Sequence, residues 1–241
     1  MLFNSIKFLL FFPIITIVYF IIPFKQRWKW LLAASFYFYM NWNPKYALLI
    51  GFSIIVTYMS GLLIEKEELN KDLSSDEINK KKKLWVFLSF FINLSILFFF
   101  KYFNFVGLNI TRLFNLFHIG MKVPNLNILL PVGISFYTFQ ALSYTMDVYR
   151  GDIKARKHLG KYALFVSFFP QLVAGPIERS QNLLPQFDIE FKFDYDRMKD
   201  GLLLMLWGFF KKIVIADRLA ILVNTVYNEP KKYDGMAFII A

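Results

Sequence analysis

Leu84–Phe100 reads LWVFLSFFINLSILFFF, seventeen residues without a charge, and the run goes on to Val106 with only Lys101 interrupting it. A stretch of about 18 or more predominantly apolar residues is long enough to cross a ~30 Å hydrocarbon core as a helix. Ser5–Ile22 is a second such stretch and holds a single charge, Lys7. The rest of the composition agrees. The chain is 57% hydrophobic and 20% aromatic, with 30 Phe in 241 residues, whereas soluble domains are about 45–50% apolar. The fold class expected is therefore all-α: a polytopic transmembrane helical protein of six or seven spans or re-entrant segments. The expected segments are 5–24, 28–43, 45–64, 84–106, 126–147, 161–177 and 201–224. The second and sixth are short for a span, so they tilt, re-enter or pack inside.

Apolar sequence from Met1 to Phe24 exceeds a ~7–15-residue signal core and is followed by Lys25-Gln26-Arg27, not by a small-residue cleavage site. It reads as a retained first span. Cysteine is absent, which removes disulfides, thiolate metal sites and a cysteine nucleophile. The net charge of +11 could suggest nucleic acid. Its basic residues instead sit in short loops between apolar runs, which is a topology signal, so no nucleic-acid partner is expected. Loops near 25–29, 65–83 and 148–161 hold Lys25, Arg27, Lys29, Lys66, Lys71, Lys80 through Lys83, Arg150, Lys154, Arg156, Lys157 and Lys161. The alternate loops hold few cations: Lys7, Lys45, Arg112 and Lys122, with Lys101 near a span end. The positive-inside rule makes the first set cytoplasmic and the N-terminus extracytoplasmic, and the bilayer of the cell membrane the first partner.

Glu65–Lys83 is the hydrophilic segment, expected as a solvated helical hairpin with Glu67/Lys71, Asp76/Lys80 and Glu77/Lys81 as i,i+4 pairs. Its Lys80–Lys83 run is the alternative ligand-binding feature, for anionic headgroups. Phe187, Ile189, Phe191, Phe193 and Tyr195 alternate with charges, a period-two pattern, so Leu184–Tyr195 is expected to be extended along the membrane surface.

Three segments carry polar or irregular sequence at membrane depth, where such groups default to a functional role. In the first, Pro131 through Gln140 leads into Tyr144 and Asp147, and Phe136, Gln140, Ser143 and Asp147 fall on one helical face. The competing reading of Ser135, Thr138 and Gln140 is interhelical hydrogen bonding. In the second, Phe168-Phe169-Pro170-Gln171-Leu172-Val173-Ala174-Gly175-Pro176, two prolines and a glycine forbid an unbroken helix. Irregular backbone at that depth belongs in a protein interior or along a cavity; the competing reading is a proline kink. In the third, Lys211 and Arg218 share a face at i,i+7 with Lys212 beside them, placed to attract an anionic donor or to snorkel to the interface. The candidate tunnel-lining set is thus Ser135, Tyr137, Gln140, Tyr144, Asp147, Pro170, Gln171, Gly175 and Pro176. Lys211, Lys212 and Arg218 form the basic set. His118 and His158 both fall in loops, away from the polar stripes, and read as solvated. No His/carboxylate set has metal spacing, and no phosphate loop or dinucleotide fingerprint appears.

Pro131–Gln140 with Asp147-Val148-Tyr149-Arg150-Gly151, then Phe168–Ile177, then Lys211–Arg218, together with Trp30–Ser35 and Asn41–Pro44, resemble the membrane-bound O-acyltransferase family. The branch is the alginate O-acetyltransferase subunit I type, which is also similar to the D-alanyl lipoteichoic acid transfer protein. The resemblance implies a funnel through the bilayer, with no bound cofactor. Through it an acyl group passes from a cytoplasmic thioester donor, acetyl-CoA or another acyl thioester, to a hydroxyl on an envelope polysaccharide. An extracytoplasmic acetyl-transfer partner protein can stand between. It also implies that the family's catalytic histidine lies in a later apolar segment than these motifs, so no residue of this chain is expected to take the catalytic role. The expectation is the N-terminal half of one transmembrane domain, cut before its catalytic half. An envelope-glycan transporter or flippase, or a non-catalytic membrane scaffold, are the alternatives.

Overall fold

The computed structural model describes residues 1, 3–70, 72–117, 123–124, 126, 130–172 and 175–240; Lys71, His118 and Lys122 lie outside the described residues. It is all-helical, with no strand among the described residues. The chain divides into two compact units.

The larger unit comprises residues 21–190. It contains α2 (Phe24–Met40), α3 (Tyr46–Glu68), α4 (Ser75–Leu116), α5 (Ile134–Arg150), α6 (Leu159–Ser167), α7 (Phe169–Leu172), α8 (Ser180–Leu183) and a 3-10 turn, Leu184–Asp188. Helices α3 and α4 are long and apolar enough to cross a membrane. At about 1.5 Å per residue, α4 with its 42 residues extends well past the apolar run from which it was recognised. Its start explains why. Ser74 and Glu77 form a reciprocal capping box, which satisfies two of the first amide donors. The charged lysines 80–83 therefore belong to the helix and not to a loop. The backbone and side-chain hydrogen bonds from Ser74 hold the Glu77 carboxyl below the usual carboxylate range.

The 65–83 hairpin is helical as expected, but its ion pairs cross between helices. Lys81 pairs with Glu67 at 3.6 Å and Lys82 with Glu68 at 3.2 Å. Lys82 is buried and lies over the Tyr149 ring, so the Lys80–Lys83 run is partly consumed by packing.

Helices α3, α4, α5 and α6 are joined by polar contacts inside an apolar core. Within α4, Asn93 Nδ2 donates to the Ser89 carbonyl (2.9 Å); between helices, Ser53 Oγ donates to Asn93 Oδ1 (2.5 Å), Ser89 Oγ and Thr145 Oγ1 share a hydrogen bond (3.3 Å), and Tyr162 Oη donates to Thr57 Oγ1 (2.6 Å). Between apolar helices such bonds fix register as well as add energy, about 0.6 kcal/mol each on average.

The expected sixth span, 161–177, is not one helix. Pro170 has no amide hydrogen for the carbonyl of Val166 and its ring crowds that carbonyl. The helix accordingly breaks at Phe168 (φ −58°, ψ 114°), and the four-residue α7 follows. Residues 175–179 are non-helical. The period-two pattern of 184–195 is also resolved differently from expectation. Leu184–Asp188 is a 3-10 turn with Pro185 at its start, and the extended residues beyond it pair with no strand among the described residues.

The smaller unit comprises residues 2–20 and 191–241. It contains α1 (Ile6–Ile21), α9 (Tyr195–Phe209), a π-helical segment Phe210–Ala216, α10 (Asp217–Asn228) and α11 (Gly235–Ile240). Asp194 caps α9 by accepting the Arg197 amide at 3.1 Å.

Candidate functional site

Helix α5 is framed by two glycines with φ near +75° to +79°, Gly133 before it and Gly151 after it. At its end the Gly151 amide donates to the Val148 carbonyl and the Asp152 amide to the Asp147 carbonyl. This is a Schellman closure, which needs the left-handed residue. Between the glycines the polar stripe runs Tyr137, Gln140, Tyr144, Asp147, all buried. The register expected from Phe136, Gln140, Ser143 and Asp147 is therefore corrected at two positions. Phe136 is exposed, and Ser143, half-buried, hydrogen-bonds the Gln140 carbonyl of its own helix at 2.8 Å. Ser135 is half-buried in the first turn.

Residues 159–188 run out along this stripe and back again. At the start, the Arg156 amide donates to Tyr144 Oη at 2.9 Å. Further along, Gln140 Nε2 donates to the Phe165 carbonyl at 2.8 Å and to Gln171 Oε1 at 3.1 Å. The tip is held at two points. Phe169 N donates to Ser35 Oγ at 3.2 Å, and the Leu172 carbonyl oxygen lies only 2.2 Å from where a Cβ on Gly133 would stand. The chain then returns. Ser180 Oγ donates to Asp147 Oδ2 at 2.6 Å, and Asp188 meets Arg156 and Lys161, the latter at 2.5 Å.

The non-helical return leg follows from distance. From Gly133 to Asp147, α5 advances about 21 Å. The Gly175 amide still donates to the Gln171 carbonyl at 3.1 Å, so the open stretch begins at Gly175. The five residues from there to Ser180 would cover only about 8 Å as a helix, but up to ~17 Å extended. A Cβ on Gly175 would come within 2.6 Å of Gln171 Cα, and Pro176, like Pro170, is exposed. The hairpin thus begins and ends at the Arg150 end of α5.

Partial burial pushes the Asp188 carboxyl up, but its hydrogen bonds and charge contacts with Arg156 and Lys161 outweigh that and hold it below the usual carboxylate range. Its folded value lies below the unfolded one of about 3.9. The latch therefore stabilises above that value and is lost as pH falls through the folded pKa. Asp188→Asn should raise the proteolytic sensitivity of the 177–190 region at neutral pH, and the acid-dependent rise seen in the parent should flatten. An unchanged acid profile would show that the latch does not hold the hairpin.

Lys211, Lys212 and Arg218 lie in the smaller unit and are exposed. Lys212 pairs with Asp217 at 2.6 Å, an i,i+5 spacing that a π turn brings together. Because the turns here close i→i+5, the i,i+7 spacing of Lys211 and Arg218 no longer places them on one face. Lys211 stands over the Trp207 ring. His158 caps α6, its Nδ1 accepting the Lys161 amide, and its ring meets Trp28 edge-on at 4.6 Å. No group of three or more metal-ligating side chains occurs among the described residues. Sequence reading missed Ser35, Tyr39 and Ser180. Each is a small or neutral group whose role comes only from the hairpin or helix it faces.

Comparison with known proteins supplies a likeness: the chain is similar, along most of its length, to proteins named as O-acetylating enzymes. It is 36% identical over 241 residues to the "Probable alginate O-acetylase" of Pseudomonas aeruginosa, covering 99% of this chain and 44% of that protein. The protein of the same name from Azotobacter vinelandii is 35% identical over 221 residues, with 91% of this chain and 42% of the relative covered. The "Peptidoglycan O-acetyltransferase" of Helicobacter pylori is 35% identical over 217 residues, covering 79% and 38%. The chain spans less than half the length of these relatives. No family model and no solved structure matches it.

Proposed function

We propose that this chain forms the N-terminal part of a cell-membrane O-acyltransferase that acetylates a hydroxyl of a cell-envelope polysaccharide. The acyl group comes from a cytoplasmic thioester, acetyl-CoA or another acyl thioester, and an extracytoplasmic acetyl-transfer protein is its further partner. The observation that carries the reading is the polar stripe of α5 clamped by a hairpin with a non-helical leg, in a chain homologous throughout to named O-acetyltransferases. Non-helical backbone at membrane depth needs a protein or water-filled surrounding, so Gly175 and Pro176, with Gln171 on the short helix before them, are assigned to a conduit wall. Tyr137, Gln140, Tyr144 and Asp147, with Ser135 at the first turn, hold that wall in place. Lys211, Lys212 and Arg218 are assigned to the donor side as exposed cations.

In this arrangement the basic loops 65–83 and 148–161 are cytoplasmic, the N-terminus is extracytoplasmic, and 159–188 re-enters from the cytoplasmic side. The transporter reading accounts for broken helices equally, but it does not account for homology to acetyltransferases along the chain. The test is the ester-linked acetyl content of envelope polysaccharide in cells that express, or lack, the complete reading frame containing residues 1–241. Loss of ester acetyl on deletion, restored by the gene, is expected. Unchanged acetyl with altered polysaccharide export would favour transport instead.

A further inference from the structure

The smaller unit contains a groove of about 190 Å³ between α1 and residues 191–205. Phe20, near the end of α1, meets Phe193 edge-on at 5.4 Å just ahead of α9. From that point α1 runs back to Phe12 and α9 forward to Met205 along the same groove. Its walls over this length are apolar. Gly201 forms part of them, and a Cβ there would meet nothing within 4 Å. Charge is confined to one end, where Lys192, Asp194 and Arg197 stand. Asp194 is committed to α9: it accepts the Arg197 amide at 3.1 Å, and its other oxygen lies 4.0 Å from the Arg197 guanidinium. That guanidinium lies over the Phe191 ring at 5.6 Å and keeps most of its five N–H donors. Lys192 pairs with no carboxylate among the described residues. Asp196, Lys199 and Asp200 fall on the opposite face of α9 by its 3.6-residue period. The groove is therefore apolar along its length and cationic at its mouth.

Its dimensions select the occupant. From Arg197 to Met205 α9 advances about 12 Å, close to the depth of one leaflet, roughly half of a ~30 Å hydrocarbon core. The volume falls below the roughly 300–1,000 Å³ of sites for drug-sized ligands, so a hydrocarbon chain fits and a whole nucleotide thioester does not. In the proposed arrangement the Phe20 end of α1 is cytoplasmic. Lys192 and Arg197 then stand at the headgroup level of the cytoplasmic leaflet, whose surface is anionic. Their apolar stems and charged heads suit that level.

We propose that this groove binds one anionic phospholipid of the cytoplasmic leaflet. One of its acyl chains lies between α1 and α9 and ends beside Phe12 and Met205. Its phosphate accepts hydrogen bonds from Lys192 and, two at a time, from the Arg197 guanidinium. Gly201 leaves the space that the chain fills. The lipid thus joins α1 to α9 and holds the smaller unit together. The inference goes beyond acyl transfer and rests only on α1 crossing the membrane with its Phe20 end at the cytoplasmic face.

The test uses the product of the complete reading frame, purified in detergent and stripped of lipid. Native mass spectrometry then follows its titration with dioleoylphosphatidylglycerol or dioleoylphosphatidylcholine. One phosphatidylglycerol should bind about 20-fold more tightly than phosphatidylcholine, since each of the two basic residues contributes roughly fivefold toward an anionic surface. Gly201→Leu should abolish this binding. Its melting temperature should stay level or rise, because the new side chain enters open space and glycine disfavours a helix interior. Gly208→Leu makes the same change at an equally open position outside the groove and should bind as the parent does. The double variant Lys192→Gln, Arg197→Gln should bind the two lipids alike. A parent without preference would overturn the proposal, as would Gly201→Leu binding as tightly as Gly208→Leu. If Gly201→Leu fails to fold, the double variant decides, and an unchanged preference there overturns the proposal. A complete protein that retains no phosphatidylglycerol would overturn it too. Thioester turnover in the same preparations tests the acyltransferase reading independently.

Discussion

Gly133→Ala should lower the melting temperature in detergent by roughly 10 °C, while Gly151→Ala should lower it by only a few degrees. Both glycines hold φ near +75° to +79°, a conformation that costs an L-residue about 1–2 kcal/mol. They differ in what surrounds them. A Cβ on Gly151 meets nothing within 4 Å, but on Gly133 it would stand 2.2 Å from the Leu172 carbonyl oxygen. That atom is backbone, fixed by the hairpin tip, so relief requires the tip to move away from α5. A total loss of about 3–4 kcal/mol combines the strain with broken packing of the kind that costs about 1–3 kcal/mol. For a chain of this size each kcal/mol shifts melting by about 2–4 °C. The difference between the two variants isolates the contact between α5 and the tip. Equal shifts would mean that the contact carries no stability.

Residues 1–241 expressed alone should show no acetyl transfer above a no-enzyme control. Deprotonating a hydroxyl acceptor calls for a positioned base, whose removal alone costs about 10²–10⁴ in rate. Of the two histidines, His158 is committed to capping α6 against Trp28, and His118 lies outside the described residues. The chain spans under half of its relatives, so groups that orient donor against acceptor are also expected outside it. The loss should therefore exceed that of a single base. The assay is thioester turnover and ester formation by the purified chain, with and without the remainder of the reading frame. Turnover by 1–241 that disappears in His118→Ala or His158→Ala would place the base inside this chain.

Much of this was legible in the sequence because it depends on local rules. Hydrophobic runs located α1 through α5. Pro170, Gly175 and Pro176 announced a broken helix, and Glu65–Lys83 announced a helical hairpin. What sequence could not settle depends on partners. Helical periodicity alone puts Phe136 and Tyr137 on adjoining faces; only the hairpin packed against α5 decides that Tyr137 and Tyr144, and not Phe136 and Ser143, join Gln140 and Asp147. Glu67 and Glu68 find cations on the opposite helix because α3 and α4 pack there, a geometry invisible to i,i+4 counting. The alternation of 184–195 gives no strand because no second strand among the described residues is at hand to pair with it. The pairing of Asp147 with Ser180 joins residues on separate elements, and neither one alone signals it.

The account turns on residues 159–188 leaving and returning to the same side. Single cysteines are clean probes in a chain that has none. Ser75→Cys, Lys154→Cys and Gln186→Cys, placed in the complete reading frame, would be exposed to a membrane-impermeant thiol reagent in intact cells and in opened cells. The re-entrant arrangement predicts that all three stay unlabelled in intact cells and react together once the cytoplasmic face is opened. Labelling of Gln186→Cys in intact cells, with Lys154→Cys still protected, would make 159–188 a span and contradict the account.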